Sequence, residues 1–330
     1  MIKIGLVGTG GMGRVHYANF KEIPDCAVTA LCGASDKAKA AAEEWGLPLY
    51  ATIEEMAAHV DIVDICTPTY THHDMVMESL RCGKDTIVEK PIALSSADAR
   101  EMLDTAQANG CQLYVAQVLQ FTKEVEILRR IVKDGTYGKQ LDAVFERLSA
   151  CPQWVQGGWL FDKRKSGLLP FDLHIHDLDI IVSLFGTPDS ASFTSCGGAD
   201  KGYREQYRFQ YTFGDLHVCA EAAWFNAPIP WTARWRVYFE NGMLINDGQT
   251  LTGYQFGKEP EIFDTADAVT VSTGINVPPC GWYYNELSHF LDCARRHEPS
   301  PYVSREQLLT VVSLLEKISE NENGQSKSLF

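Results

Sequence analysis

Apolar and polar positions follow two different rhythms along this chain. In the first, short β-branched runs alternate with stretches of helical spacing. Ile2–Val7 reads as a strand and Arg14 to about Lys21 as a helix. Ala27–Cys32 is the next strand, followed by a helix over Asp36–Trp45 that Gly46 and Pro48 stop. A short helix at Ile53–His59, a strand at Asp61–Cys66, a helix from His72 to Cys82 and a strand at Thr86–Val88 continue the series. Ser95 and Asp98 have the spacing of a capping box; the helix they open runs to Asn109-Gly110, ahead of a strand at Leu113–Ala116. Strands separated by helices in this way predict a parallel, doubly wound α/β sheet.

The second rhythm follows a helix at Glu124–Asp134 and a turn at Gly135–Lys139. Gln140–Leu148, Ser192–Thr194, Tyr207–Phe213, His217–Ala223 and Ala233–Tyr238 read as strands, several joined by turns such as Gly214-Asp215 and Asn241-Gly242. Strands in succession without intervening helices predict an open, mostly antiparallel sheet in an α+β domain. Trp224, Trp231 and Trp235 cluster there, to be covered by helices or by a partner subunit, and a homodimer or homotetramer through this sheet is expected. Helices at Trp282–Arg296 and Ser304–Glu320 close the chain, the latter with Ser304 and Gln307 as a capping box. The polar tail Asn321–Phe330 is expected to be mobile. Two domains result, 1–120 and 121–330.

Composition narrows the partners. At 330 residues and 45% hydrophobic, the chain can bury two substantial cores. A formal net charge of -14 argues against nucleic acid and anionic membrane. Ten cysteines stand singly, without a C-x-x-C pair, and Met1–Leu6 carries no secretory signal, which together point to reduced thiols in the cytoplasm. No apolar run approaches the roughly 18–20 residues that span a bilayer.

Gly8-Thr9-Gly10-Gly11-Met12-Gly13 has the G-x-G-x-x-G spacing between a strand and a helix. Gly8 permits a tight turn, Gly10 the close approach of a pyrophosphate and Gly13 close helix–strand packing, with the helix N-terminus holding the phosphates. An acid about 20 residues further on would mark the cofactor that lacks a 2′-phosphate. The count lands on Gly33, in Cys32-Gly33-Ala34-Ser35-Asp36-Lys37, so Ser35 with Lys37 or Lys39 could take a 2′-phosphate, while Asp36 could reach a ribose hydroxyl from a later strand end. The balance inclines slightly to NADP. Thr86-Ile87-Val88-Glu89-Lys90-Pro91 ends a buried strand on an acid, an ammonium and a proline, at the carboxyl rim where open α/β sheets bind ligands. The right-handed crossover rule places the glycine turn, Thr67-Pro68 and Lys90 along that rim. Adjacent His72 and His73 do not share a helix face, so a metal is not expected there; a capping or cofactor-edge role fits His72.

The densest polar cluster is Asp172-Leu173-His174-Ile175-His176-Asp177-Leu178-Asp179. On a helix begun by Asp172, Asp172 and His176 lie one turn apart, and a carboxylate beside an imidazole fixes its tautomer and makes it a general base. An acid at a helix N-terminus beside a core histidine is the plainer alternative. His174 and His176 diverge, which disfavours a zinc site.

With Gly8–Gly13, Cys66-Thr67-Pro68 followed by His72, Glu89-Lys90-Pro91 and Asp172-x-x-x-His176-x-x-Asp179 in order, the chain resembles the glucose–fructose oxidoreductase / inositol dehydrogenase (Gfo/Idh/MocA) family of NAD(P)-dependent sugar and polyol oxidoreductases along essentially its whole length. The resemblance implies an N-terminal Rossmann domain and a C-terminal domain that carries substrate and oligomer contacts. It implies catalytic roles for Lys90, Asp172 and His176, and a cofactor held by Thr67, Pro68 and Gln117. His174 stands where a glycine is common in the family, which would place a second imidazole at the substrate mouth. Hydride would pass between nicotinamide and a carbinol carbon, with His176 taking the hydroxyl proton, Lys90 stabilising the alkoxide, Asp172 orienting His176 and Glu89 setting Lys90. Trp159 and Tyr284 would wall the sugar site. A non-catalytic NAD(P)-binding sensor, or transient oxidation serving epimerisation or elimination, are the alternatives.

Overall fold

The computed structural model describes residues 1–153, 156–198, 200–275, 278–321 and 327–328. The chain divides into two compact units, Met1–Thr122 with Asp267–Leu309, and Lys123–Ala266 with Thr310–Phe330.

The first unit holds β1 (Ile2–Val7), α1 (Gly11–Phe20), β2 (Cys26–Cys32), α2 (Asp36–Trp45), β3 (Leu49–Tyr50), α3 (Ile53–Ala57), β4 (Ile62–Ile65), α4 (His72–Arg81), β5 (Asp85–Glu89), α5 (Ser96–Ala108) and β6 (Leu113–Ala116). Its six strands are all parallel in the order β3-β2-β1-β4-β5-β6, the doubly wound order of dinucleotide-binding sheets. Strands β4 and β5 are almost wholly buried, which suits the β-branched residues at their centres, Ile62-Val63 and Thr86-Ile87-Val88. Helix α1 starts three residues before the expected Arg14, because the glycines themselves form its first turn. Gly46 ends α2 in the left-handed conformation at φ 67°. Ser95 caps α5 by accepting from Asp98 N–H at 3.1 Å.

The second unit begins with α6 (Lys123–Asp134) and β7 (Gln140–Ala150), then α7 (Lys163–Ser166), a π-helical turn at Pro170–His174 and α8 (Ile175–Phe185). Strands β8 (Ser190–Cys196), β9 (Gln206–Phe213), β10 (Leu216–Phe225), β11 (Thr232–Phe239), β12 (Gly242–Asn246), β13 (Leu251–Tyr254) and β14 (Glu261–Phe263) follow. They join β7 in a nine-stranded sheet, ordered β14-β13-β12-β11-β7-β10-β9-β8-β15, with β15 at Lys327–Ser328. Every pair is antiparallel except β7–β10, which the helical crossover after β7 makes parallel. Strands β12 to β14 had no expectation: they are short, lie toward one edge and carry mixed polarity. Of the tail expected to be mobile, Lys327 and Ser328 pair with β8, and residues 322–326 and 329–330 lie outside the described residues.

The expected division at 120/121 falls two residues before the first boundary, and it assigns 267–309 to the other unit. That segment carries α9 (Trp282–Arg296), whose buried face includes Leu287, Phe290 and Leu291. Phe290 stacks on Tyr114 at 5.2 Å and meets Phe121 edge-on at 5.4 Å, so aromatic packing draws the segment back to the first unit. The last helix, α10 (Arg305–Glu320), opens as expected with a reciprocal box. Ser304 N–H donates to Gln307 Oε1 at 3.3 Å and Gln307 N–H to Ser304 Oγ at 3.1 Å. Among the described residues, no helix is long and apolar enough to cross a membrane.

Candidate functional site

In the first unit, the ends of β1, β4, β5 and β6 line one rim of the parallel sheet. Gly8 leaves β1 at φ +95°, where a side chain is strained, and a Cβ would sit 2.6 Å from Cys66 O. A Cβ on Gly13 would lie 1.9 Å from Gly8 O, so α1 packs under the turn as closely as it does only without a side chain. Gly10 is different: a Cβ there meets nothing within 4 Å. Its bareness therefore serves no packing against the described residues and leaves open space beside it. Helix α1 has no side-chain cap and no acid in its first turn, so the amides of Gly11, Met12 and Gly13 are left for an anion. Thr9 is buried, and Met12 packs against Val15, Val118, Cys280 and Tyr283.

The other rim residues differ in what they present to the rim. Gln117, 2% exposed just past β6, has no hydrogen-bond partner for Oε1 among the described residues, an orphaned acceptor. No carboxylate stands at the end of β2. Ser35 is exposed and caps α2, accepting from Ala38 N–H at 3.2 Å, and Asp36 pairs with Lys39 at 3.1 Å on the surface. His72 does not face outward as a cofactor-edge residue would. It is 1% exposed, with Nδ1 2.8 Å from Pro91 O and Nε2 2.9 Å from Thr67 O, so it ties the Thr67-Pro68 turn to the Lys90-Pro91 turn. Burial holds its pKa below the ordinary value, although the two carbonyls favour the charged ring.

Lys90 follows β5 half-buried, and a cis peptide joins it to Pro91. Its backbone N–H donates to Glu89 Oε2 at 3.0 Å. Behind Glu89 lies a cluster that the sequence reading missed. His16 Nε2 lies 3.2 Å from Glu89 Oε1, His16 Nδ1 lies 2.9 Å from Asp64 Oδ2, and Cys66 Sγ is 3.2 Å from the same Nδ1. His16 and Asp64 are fully buried. The available signal was Asp64 itself, a charge within the wholly buried strand Ile62–Ile65, which demands a partner.

In the second unit, Asp172 lies in the π-helical turn and His176 in the first turn of α8. Both are half-buried, while Leu173, His174 and Ile175 between them are buried. The helix is locally wider than an α-helix, a distortion frequent at functional sites. His174 corrects the sequence reading. It is fully buried, stacked on Phe209 at 3.7 Å and 8°, with Nε2 2.8 Å from Tyr211 Oη, and belongs to the sheet's core rather than to a substrate mouth. Asp177 is also turned inward, bound through two oxygens by Arg147 at 2.6 and 3.1 Å. Trp159 is half-buried in a 3-10 helix of this unit, and Tyr284 is half-buried in the first turn of α9 in the other. Of the three tryptophans, Trp224 and Trp235 are buried and only Trp231 is exposed.

Burial pushes the His174 pKa down to about 3, with Arg147 adding to the effect. The unfolded chain then takes a proton below about 6.5 that the folded chain refuses until about 3, so this group lowers stability as pH falls through that window. His174→Phe should flatten the stability slope between pH 6 and 4, read as denaturant midpoints at several pH values. An unchanged slope would show that His174 is not the group responsible.

Residues 2–117 match the family described as "Oxidoreductase family, NAD-binding Rossmann fold", and residues 125–245 match the "GFO/IDH/MocA C-terminal domain". An inositol 2-dehydrogenase of Rhizobium meliloti is 31% identical over 205 residues, covering 61% of this chain and 60% of that protein. A D-apiose dehydrogenase of Paraburkholderia graminis is 31% identical over 188 residues, 56% of this chain and 50% of its own. A 2,7-anhydro-N-acetylneuraminate hydratase of Mediterraneibacter gnavus is 28% identical over 200 residues, 60% of this chain and 53% of its own. The match thus spans only 50% to 60% of the length of these relatives. Two solved structures share the fold. An oxidoreductase from Agrobacterium radiobacter in complex with NAD+, L-tartaric acid and magnesium has TM-score 0.85 at 17% identity, over 99% of this chain and 98% of that one. An aldose-aldose oxidoreductase from Caulobacter crescentus complexed with glycerol has TM-score 0.84 at 21% identity, over 99% of both chains.

Proposed function

The chain belongs to the GFO/IDH/MocA oxidoreductase family, and from that premise we propose that it moves hydride between NAD(P) and a carbinol carbon of a sugar, inositol or other polyol. The observation that carries this reading is Lys90, fixed through Glu89 on the same sheet rim as the bare glycine turn at Gly10. A bound nicotinamide would supply or accept the hydride. The amides of Gly11–Gly13 hold the pyrophosphate, beside Gly8, Thr9 and Gly10, and Thr67, Pro68 and Gln117 line the rim, with Gln117 offering its orphaned oxygen. His72 acts behind them by holding the two turns together. Lys90 hydrogen-bonds the substrate oxygen and stabilises the charge that develops there. His176 takes the hydroxyl proton and Asp172 fixes its tautomer or binds a neighbouring hydroxyl. Trp159 and Tyr284 are assigned to the sugar's apolar faces. Absorbance of reduced nicotinamide at 340 nm, followed with a panel of polyols and aldoses, tests the reading; no cofactor reduction with any of them would count against it.

A hydratase among the relatives favours one second reading, transient oxidation that serves an elimination. It would yield product without net reduced cofactor.

The missing acid after β2 supports NADP over NAD. Ser35→Asp keeps an equally good helix cap while placing a carboxylate where a 2′-phosphate would lie. It should lower kcat/KM for NADP by about tenfold or more, a 1.4 kcal/mol effect, and leave NAD little changed. Equal losses for both cofactors would remove Ser35 from the 2′ site.

The outward face of the nine-stranded sheet supports self-association. Tyr238, Met243 and Tyr254 pair across β11, β12 and β13 on that face, and Ile262 on β14 is 71% exposed. Arg234–Glu146, Arg208–Glu221 and Arg236–Asp142 supply both charges beside them, as a self-complementary surface needs. Tyr238→Glu should shift the sedimentation coefficient toward the monomer.

A further inference from the structure

The cluster behind Glu89 is unused by the mechanism above and is more than a satisfied core. Its members come from three elements: His16 from α1, Asp64 and Cys66 from β4 and the residue after it, and Glu89 from the end of β5. Both ring nitrogens of His16 face carboxylate oxygens, Nδ1 at 2.9 Å from Asp64 and Nε2 at 3.2 Å from Glu89. A neutral imidazole has one N–H and one lone pair, so one of those contacts would oppose a lone pair to a carboxylate in a buried site. The charged ring, with two donors, satisfies both. Glu89 then divides its oxygens: Oε1 meets the ring and Oε2 accepts the Lys90 backbone N–H at 3.0 Å.

We propose that His16 is a positioning residue, held as an imidazolium between Asp64 and Glu89 so that Glu89 presents one fixed oxygen to the Lys90 backbone. The importance assigned to Lys90 rests on the function proposed above; the charge state of His16 does not. The neighbouring groups agree with this arrangement. Burial alone would lower the pKa of His16, but Asp64, through its charge and its hydrogen bond, outweighs it with the Cys66 sulfur as a further acceptor and holds it well above the ordinary value. Burial keeps the Cys66 thiol protonated, so it adds no further negative charge against the ring. Tyr283 of α9, its ring 6.4 Å from that of His16, is likewise kept neutral by burial, with Glu89, Glu286 and Cys280 adding to the effect. The ring thus lies between the carboxyl groups of Asp64 and Glu89. A different three, His16, Asp64 and Cys66, offer one atom each within 4.8 Å of one another. A cation there would replace the Nδ1 proton and leave only Nε2–H toward Glu89, so loading with zinc is a control rather than the reading favoured.

The test uses the full-length protein with nitrogen-15-labelled histidine. The His16 signals are assigned by their loss in His16→Gln and followed from pH 6 to 10. Two ring N–H protons at pH 7.5, with a titration midpoint that falls in Asp64→Asn, are expected; a neutral ring at pH 7.5 would overturn the proposal. The second arm reads Lys90 without substrate, as the pH dependence of its trace acetylation by peptide mass spectrometry. Removing a neighbouring positive charge raises an ammonium's pKa, so His16→Gln and Asp64→Asn should both move the Lys90 labelling midpoint, the former upward by about half a pH unit or more. A role confined to packing would leave that midpoint in place and would likewise overturn the proposal. If His16→Gln does not fold, Asp64→Asn carries both arms. Where wild-type protein turns over a polyol, His16→Gln should lower kcat about tenfold or more, with cofactor KM within about threefold of wild type. Wild-type kcat in that variant sinks the positioning role alone, whereas wild-type inactivity on every polyol leaves the titration and labelling results standing and sinks only the proposed function.

Discussion

Lys90→Ala should lower kcat by about 10²–10³-fold, the loss typical of removing one pre-positioned donor from a developing oxyanion. The cofactor dissociation constant should change by only a few fold, since the phosphates are assigned to the backbone amides of α1 rather than to this ammonium. The fold should survive, because Lys90 is half-buried and the neighbouring turn keeps its other ties, from Glu89 to the Lys90 backbone and from His72 to Pro91. Stopped-flow absorbance of the nicotinamide with a responsive polyol would separate the hydride step from release, and fluorescence titration would give cofactor affinity. Near-normal turnover would remove Lys90 from the chemistry; a collapse of cofactor affinity with intact turnover at saturation would reassign it to binding.

Arg147→Met should cost about 3–5 kcal/mol of unfolding free energy, the penalty for stranding one member of a buried ion pair. Arg147 is 6% exposed and Asp177 1%, and burial raises the Asp177 pKa even with the guanidinium beside it. The pair is therefore expensive to hold, and the loss on breaking it comes from the uncompensated carboxylate rather than from a large net attraction. It follows that the double variant Arg147→Met with Asp177→Leu should recover much of the loss. Urea unfolding of the two variants checks this. Equal stability of single and double variants would mean that Asp177 is rescued by water or by protonation at no cost. Because Asp177 follows His176 directly, a shifted α8 in the single variant should also lower activity, whereas the double variant shows whether the ion pair matters to α8 beyond its charge.

The parallel sheet was legible because strands buried on both faces are rich in β-branched residues, as Ile62-Val63 and Thr86–Val88 are. The glycine turn, the capping boxes at Ser95 and Ser304 and the stop at Gly46 are local signals, decided by backbone geometry within a few residues. Strands β12 to β14 were not legible, since Gly242, Gly253 and Thr252 give them little apolar alternation and their pairing comes from neighbours. His174 misled for a related reason: its sequence neighbours are acids and another histidine, while its actual environment is Phe209 and Tyr211, 35 and 37 residues away in sequence (209 − 174 and 211 − 174). The His16 cluster required knowing that α1, β4 and β5 meet, which sequence spacing alone does not supply. Asp172 and His176 were legible as a pair, but the π-helical turn that sets their exposure was not.

The return of residues 267–309 to the first unit has a consequence for synthesis of the chain. Polypeptides emerge amino end first, and domains generally fold as they appear. The nucleotide-binding unit here must wait until α9 has been made, more than half the chain after β6, before Phe290 can cover Tyr114 and Phe121. The intervening unit lacks only its closing segment from Thr310 onward during that interval. A nascent chain arrested near residue 130 would therefore present an aromatic surface to chaperones, and a gene fragment ending at Thr122 should yield an aggregating product. Restoring 267–309 through a short linker offers the way to a soluble nucleotide-binding half.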